Sequence, residues 1–389
     1  MSGEVVSMST TFLREPEDIE AFLTGLTFFA TGGGGDPGLG RMLIERELAA
    51  GRSVGWTDPD EVDPEAWCVR VSRTGSPGAP TPAMVELREK LGMREENRLH
   101  YHVAEAVREL EAATGVRVGA IVPPELGASN TCVALITGSY LGIPVLDADY
   151  AGRAIPELSN TTPCLGGGKI WPLATVDAWG NRCVVKNALS PQVAERMVRH
   201  LAVASFGHTG VAGFLMKVRE ARGVAVLRTL SEAFRVGKAM LDARKSGRDV
   251  AEVAAASAGG WVIFRGEVTG TSGENRDGFF WGEHVIRGEG SWEGRTLRIW
   301  FKNENLISWL DGDPYVTAPD LISIIDVDAG MPLTNPQVTA GRRVAVVGQR
   351  ARPQYRTPEG LDNLGPAHFG FDIPYRPVEE ILAQGETGR

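Results

Sequence analysis

The sequence predicts an α/β protein carrying a second, β-rich domain. Three observations carry that prediction. Strand-like apolar runs alternate with helix-period segments over the first two thirds of the chain, the pattern of an α/β sheet with parallel or mixed strands. Polar, glycine-containing loops follow the strand-like runs, where ligands of open α/β sheets sit. After about Gly259 the texture changes to short strands separated by Gly, Asn and Asp turns, as in a barrel or sandwich. The change divides the chain into an α/β domain, 1–258, and a β-rich domain, 259–389, whose tail can dock back on the first.

The elements follow in order. Residues 17–26 read as a short amphipathic helix. Residues 27–30 are apolar and strand-like, and run into TGGGGDPGLG ahead of a helix at 41–50. Strand, glycine loop and helix together are the grammar of a ligand-cradling turn. The loop is neither a dinucleotide fingerprint nor a GK[ST] phosphate loop, and a tight surface turn is the competing explanation. Residues 68–72 (CVRVS) form a strand and 75–81 a Gly/Pro loop. The spacing predicts a helix over 101–114, a strand over 118–122 leading into PPELGASN, and a helix over 131–141. Residues 144–146 read as a strand leading into DADYAGRA. The loops TGGGGD, PPELGASN and DADYAGR are expected to converge on one cleft. A strand at 183–185 precedes helices at 191–204, 227–246 and 249–256. WVIFRGEVTG, FFWGEHVIRG, TLRIWFKNENLISW, ISIIDVD and RRVAVVG are the strands of the second domain, and the tail HFGFDIPYRPVEEILAQ reads as a strand and a helix.

Composition narrows the function classes. With 43% hydrophobic residues among 389, the chain can bury a sizeable core, which argues against disorder. A net charge of −9 repels a phosphate backbone, so nucleic acid is not expected as a partner. No apolar run reaches the length of a membrane span. MSGEVVSMSTTFLREPED lacks a secretory pattern, which points to the cytoplasm and to reduced thiols for the four cysteines. None of these cysteines forms a CxxC pair. Nine tryptophans, several in the second domain, suggest a homo-oligomeric interface there.

Several residues can carry chemistry. Asp147 and Asp149 end an apolar strand and share a face in extended backbone, so they could hold a cation or a ring N–H, or act as acid and base. Helix capping is the plainer role. Cys164, before three glycines, could be a thiolate nucleophile, or simply a buried small hydrophobe. Cys68, Cys132 and Cys183 read as core. His208, set between glycines after a helix, could be a general base or a metal ligand. His100 and His102 read as structural, and His284 and His368 stay open. Asn303, Glu304 and Asn305 interrupt an apolar run, where polar residues are costly unless they face a site or an interdomain contact. Asp320 makes a similar break, or caps a turn.

TGGGGDP, PVLDADYAGRAIPEL, FKNENL and TAPDLI, in this order, make the chain similar to the S-methyl thiohydantoin desulfurase family, a former domain of unknown function associated with hydantoinases and oxoprolinases. The resemblance spans nearly the whole chain. It implies a three-layer α/β/α N-terminal domain and a smaller, barrel-like C-terminal domain. It also implies a hydrolase that converts an S-methylated thiohydantoin to a hydantoin with release of methanethiol. Gly32, Gly33, Gly34, Gly35, Asp36, Arg153, Glu157, Asn303, Glu304 and Asp320 match the pattern and would bind the ring; Asp147 and Asp149 match it too and would be catalytic. Cys164 and His208 depart from it, and mark a subgroup or carry no role. Two routes stay open: a covalent one with Cys164 activated by His208, and a water activated by Asp147, Asp149 or a zinc ion held by Cys164 and His208. Arg153 could hold a substrate carboxylate. The competing class is a non-catalytic ring-binding partner of a hydantoinase-type complex.

Overall fold

The structure is a computed structural model that describes residues 10–75 and 81–386. The expected loop at 75–81 falls largely on residues 76–80, which lie outside the described residues. So does the start of the N-terminal segment, residues 1–9.

The first domain is built on a five-stranded mixed sheet. Its strand order is Val118–Val122, Trp67–Gly75, His208–Lys217, Leu173–Asp177 and Arg182–Val185. Only the Trp67–Gly75 and Val118–Val122 pair is parallel; the other pairs are antiparallel. Side-chain alternation feeds two apolar layers. Val69, Val71, Ala174 and Ala212 point into one core with helices His102–Thr114 and Asn130–Leu141. Cys68, Leu173, Val211 and Phe214 point into the other with helix Pro191–Ala204. Helices thus cover both faces, giving three layers.

The second domain is an eight-stranded antiparallel sheet. Its order is Asp313–Thr317, Glu304–Leu310, Thr296–Lys302, Phe279–Gly288, Trp261–Arg276, Arg343–Gln349, Leu321–Asp326 and Met331–Pro332. Ile263, Phe264, Ile286, Ile299 and Val346 form its core. The sheet curls until Asn305 Nδ2 donates to Ile322 O at 3.0 Å. Among the described residues its two end strands do not pair.

Helix Pro16–Phe29 joins the two halves. Pro16 at its first turn with Glu17 and Asp18 starts it, as fixed φ and negative charge favour. It crosses helix Thr229–Lys245 with no room to spare. A Cβ on Gly25 would lie 1.8 Å from Ala233 O, and one on Gly237 1.8 Å from Ala21 O. Its apolar side shares a core with Leu321, Ile325, Ala345 and Val347 of the second sheet. Ser323 Oγ donates to Phe28 O at 2.6 Å.

Several sequence expectations change here. Residues 27–29 are the last helical turn, so the glycine loop follows a helix and not a strand. Phe28 and Phe29 favour strands in isolation, but burial of both rings is achieved by continuing the helix. His208 begins a ten-residue strand near the sheet centre and is not a loop residue. Its flanking glycines mislead because Gly210 lies inside the strand, where it allows close packing against Val103. Cys164 lies in the short helix Thr162–Leu165, and Cys183 is exposed on an edge strand. Strand Leu173–Asp177 and helix Pro82–Lys90 are additional elements. The 144–146 segment makes only isolated bridges through Val145 and Leu146. The tail provides helix Val378–Glu386 but no strand. Among the described residues no helix is long and apolar enough to cross a membrane.

Candidate functional site at the domain junction

The glycine loop is wound by left-handed backbone at Thr31, Gly32, Gly34 and Gly35, with φ of 49°, 93°, 71° and 87°. Asp36 then caps helix Pro37–Ala49, its carboxylate accepting from Gly38 N at 2.9 Å. Gly34 meets the PPELGASN loop backbone to backbone: a Cβ on it would lie 2.5 Å from Gly127 Cα. Ser129 N donates to Gly34 O at 3.1 Å. The DADYAGR loop joins through Leu126 N, which donates to Arg153 O at 3.2 Å. The second domain closes the site. Asn303 adopts φ 59° in a tight turn and its carbonyl oxygen accepts from Asn335 Nδ2 at 2.7 Å. Asn305 N donates to Thr31 O, also at 2.7 Å. The turn turns the Glu304 side chain toward the glycine loop, where a Cβ on Gly33 would lie 2.0 Å from Glu304 Oε1.

These segments enclose a cavity of about 570 Å³, within the range that holds a small cyclic ligand. Gly32 to Asp36, Glu157, His208, Asn303 and Glu304 line it. Leu39, Val133, Ile155 and Phe280 supply apolar wall. Glu125 and Arg70 are among the lining residues that the sequence does not single out. The signal for Glu125 was its place in the loop PPELGASN after an apolar strand. For Arg70 it was a charge in the middle of the strand CVRVS.

Glu125 and Glu304 are both buried, and neither makes a salt bridge among the described residues. Glu125 accepts from Asn130 Nδ2 at 2.5 Å and from Ile155 N at 2.8 Å. Burial nevertheless pushes its carboxyl up to about 7. Burial, followed by repulsion from Glu125, holds Glu304 well above the usual carboxylate range, against the pull of the Arg153 charge and a bond from the Gly34 backbone. Glu304 Oε2 is buried without a hydrogen-bond partner. Burial would also raise Glu157, but His368 and an ion pair with Lys302 overcome it and hold its carboxyl down at about 2.

Of the other predicted residues, Asp147, Asp149, Arg153, Asp320 and Cys164 lie away from the cavity wall, and only His208 reaches it. Asp147 accepts from Leu230 N at 2.9 Å and Ser231 N at 3.0 Å, and so caps helix Thr229–Lys245. Asp149 accepts from Ala151 N and Gly152 N, each at 2.6 Å. Burial raises both carboxyls, Asp149 to about 6. Arg153 donates to Pro319 O at 2.7 Å, Thr31 Oγ1 at 3.1 Å, Asp320 O at 3.2 Å and Asn305 O at 3.4 Å. Its fork is filled by the protein's own oxygens. Asp320 accepts from Ala351 N and Val378 N, each at 2.7 Å, and pairs with Arg356 at 2.9 Å. Cys164 Sγ sits 3.5 Å from Thr161 Oγ1, and burial pushes its thiol up to about 11. Burial, then Arg73 and His102, lowers His208 to about 4. Among the described residues no three His, Cys, Asp or Glu side chains gather as a metal site.

The molecule is therefore a two-domain α/β protein with an acid-bearing cavity at the domain junction. The models for the S-Me-THD-like N-terminal and C-terminal domains match residues 17–187 and 189–378, and the chain belongs to that family. The family's division falls ahead of strand His208–Lys217, which completes the first sheet. The fold is similar to the crystal structure of a protein from Chromobacterium violaceum, with TM-score 0.73 and 25% identity over 95% of this chain and 100% of that one. No curated protein matches the chain.

Proposed function

We propose that this protein hydrolyses the carbon–sulfur bond of an S-methyl thiohydantoin, giving the hydantoin and methanethiol. The observation that carries the reading is the pair of buried carboxyl groups, Glu125 and Glu304, in one junction cavity beside the glycine loop. The ring carbon to be attacked carries sulfur and two nitrogens. Water must lose a proton to attack it, and the departing sulfur must gain one, so the reaction needs both a base and an acid. Acid groups in a half-apolar cavity of this size suit a small planar ring better than a polymer. Family membership supports the same substrate class. The raised thiol of Cys164, off the cavity wall, favours activated water over a covalent cysteine route. The four cysteines are unpaired, which fits a reducing, cytoplasmic setting.

The test is thiol release from purified protein incubated alone with synthetic S-methyl thiohydantoin. Catalytic release of methanethiol with equimolar hydantoin is expected. Stoichiometric binding of the ring without release would instead make the chain a ring-binding partner of another enzyme.

A further inference from the structure

Hydrogen bonding divides the two buried cavity acids into different jobs. Glu125 has both oxygens occupied by donors, Asn130 Nδ2 and Ile155 N, and the Arg70 charge acts on it favourably. Donors and a cation favour the ionised form. Glu304 is the opposite case. Its Oε2 has no partner, it makes no salt bridge among the described residues, and Glu125 is the charge that disfavours its ionisation most. The Arg153 guanidinium, whose charge favours ionised Glu304, points its bonds at Pro319, Asp320, Asn305 and Thr31 oxygens and not at Glu304. Two buried carboxyl groups that repel each other do not both ionise readily at neutral pH, and the proton stays on the less solvated one. That one is Glu304, and its unpartnered Oε2 is where an O–H can face a ligand.

Resting on the hydrolase reading above, we propose that Glu304 is the catalytic acid that protonates the departing methanethiolate, and that Glu125 is the base that deprotonates the attacking water. The bonds balance. Water's oxygen bonds to the ring carbon as Glu125 takes its proton. The C=N electron pair moves to nitrogen, which then receives that proton from Glu125. On collapse the C–S bond breaks and its electron pair leaves on sulfur, which takes the Glu304 proton. The added hydroxyl forms the carbonyl and returns its own proton to Glu304. Both carboxyl groups end as they began, and water is the only co-reactant.

The test compares two substrates that differ only in the leaving thiol. One carries S-methyl; the other carries S-trifluoroethyl, whose thiol is far more acidic and needs no proton to leave. Glu304→Gln is expected to lower turnover of the S-methyl ring by about 10²–10⁴-fold, yet to stay within about tenfold of the unaltered protein on the S-trifluoroethyl ring. Because Gln imitates the protonated carboxyl, its thermal unfolding at neutral pH should be unchanged. Glu125→Gln should lose about as much on both rings, since the attack on carbon is common to them. Equal losses for Glu304→Gln on the two rings would overturn the assignment, as would full activity on the S-methyl ring. If the unaltered protein releases no thiol from either ring, the hydrolase reading itself falls.

Discussion

The Glu125 carboxyl titrates near 7 when folded, where an ordinary glutamate titrates at 4.5. Between those values the unfolded chain has given up a proton that the folded chain keeps. Stability therefore falls as pH rises from about 4.5 through about 7, and below that window the group contributes no slope. A gap of this size is worth on the order of 3 kcal/mol. Glu125→Gln is expected to flatten that stretch of the curve and to unfold at higher urea concentration than the unaltered protein at pH 8. Identical pH slopes for the two proteins would show that Glu125 titrates normally. Cys164 offers a second residue-scale prediction. Its thiol is raised by burial and points at Thr161 and the Leu158 carbonyl, not into the cavity. Cys164→Ser should keep methanethiol release within a few-fold; loss of all activity would restore the covalent route. At this scale the sequence showed Glu304 plainly, because three polar residues in an apolar run need a reason. It hid Glu125 behind its loop. It also offered Asp147 and Asp149: the first answers backbone N–H groups from a helix about eighty residues away, a partner no local spacing reveals, and the second those of its own loop.

Between residue and domain, the glycine loop and the 302–304 turn act as one unit. Gly33 does not need glycine for its backbone, since its φ is not among the positive ones. It needs glycine for space, with Glu304 Oε1 where a Cβ would stand. Gly33→Ala should therefore push Glu304 out of position while leaving the loop path intact. The expected result is about a 10²-fold or greater loss of turnover, with overpacking costing about 1–3 kcal/mol in urea unfolding. Gly223→Ala, where nothing stands within 4 Å, should leave both unchanged and serves as the control. Normal turnover in Gly33→Ala would mean that Glu304 acts from another position. Helices with strong periodicity were legible at this scale: residues 191–204 were read with the bounds the structure shows. Short aromatic runs were not. Residues 27–29 carry strand-forming side chains, and only their packing between the two domains decides for helix.

Across the whole molecule, the cavity exists only while the two domains stay in register, and Arg153 is one of the residues that hold them. The change of texture near Gly259 was visible in the sequence, but not which side chain bridges it. Arg153 follows a loop of the first domain and is 1% exposed. It donates to the Pro319, Asp320 and Asn305 carbonyls of the second domain and to the Thr31 hydroxyl at the root of the glycine loop. A guanidinium fits this task because one rigid fork reaches several oxygens at once. Arg153→Met fills similar space but leaves those oxygens buried without donors, at 1–3 kcal/mol or so for each that finds no water. A loss on the order of 3–5 kcal/mol is expected, with the coupling between domains weakened most. Five of the nine tryptophans, Trp261, Trp281, Trp292, Trp300 and Trp309, belong to the second domain. Their fluorescence should then change at a different urea concentration from the far-ultraviolet circular dichroism, which reports the helices of the first domain as well. Coincident transitions at an unshifted midpoint would show that the domains hold their register without Arg153, and that the pairing of Glu304 with the glycine loop rests on the sheet contacts alone.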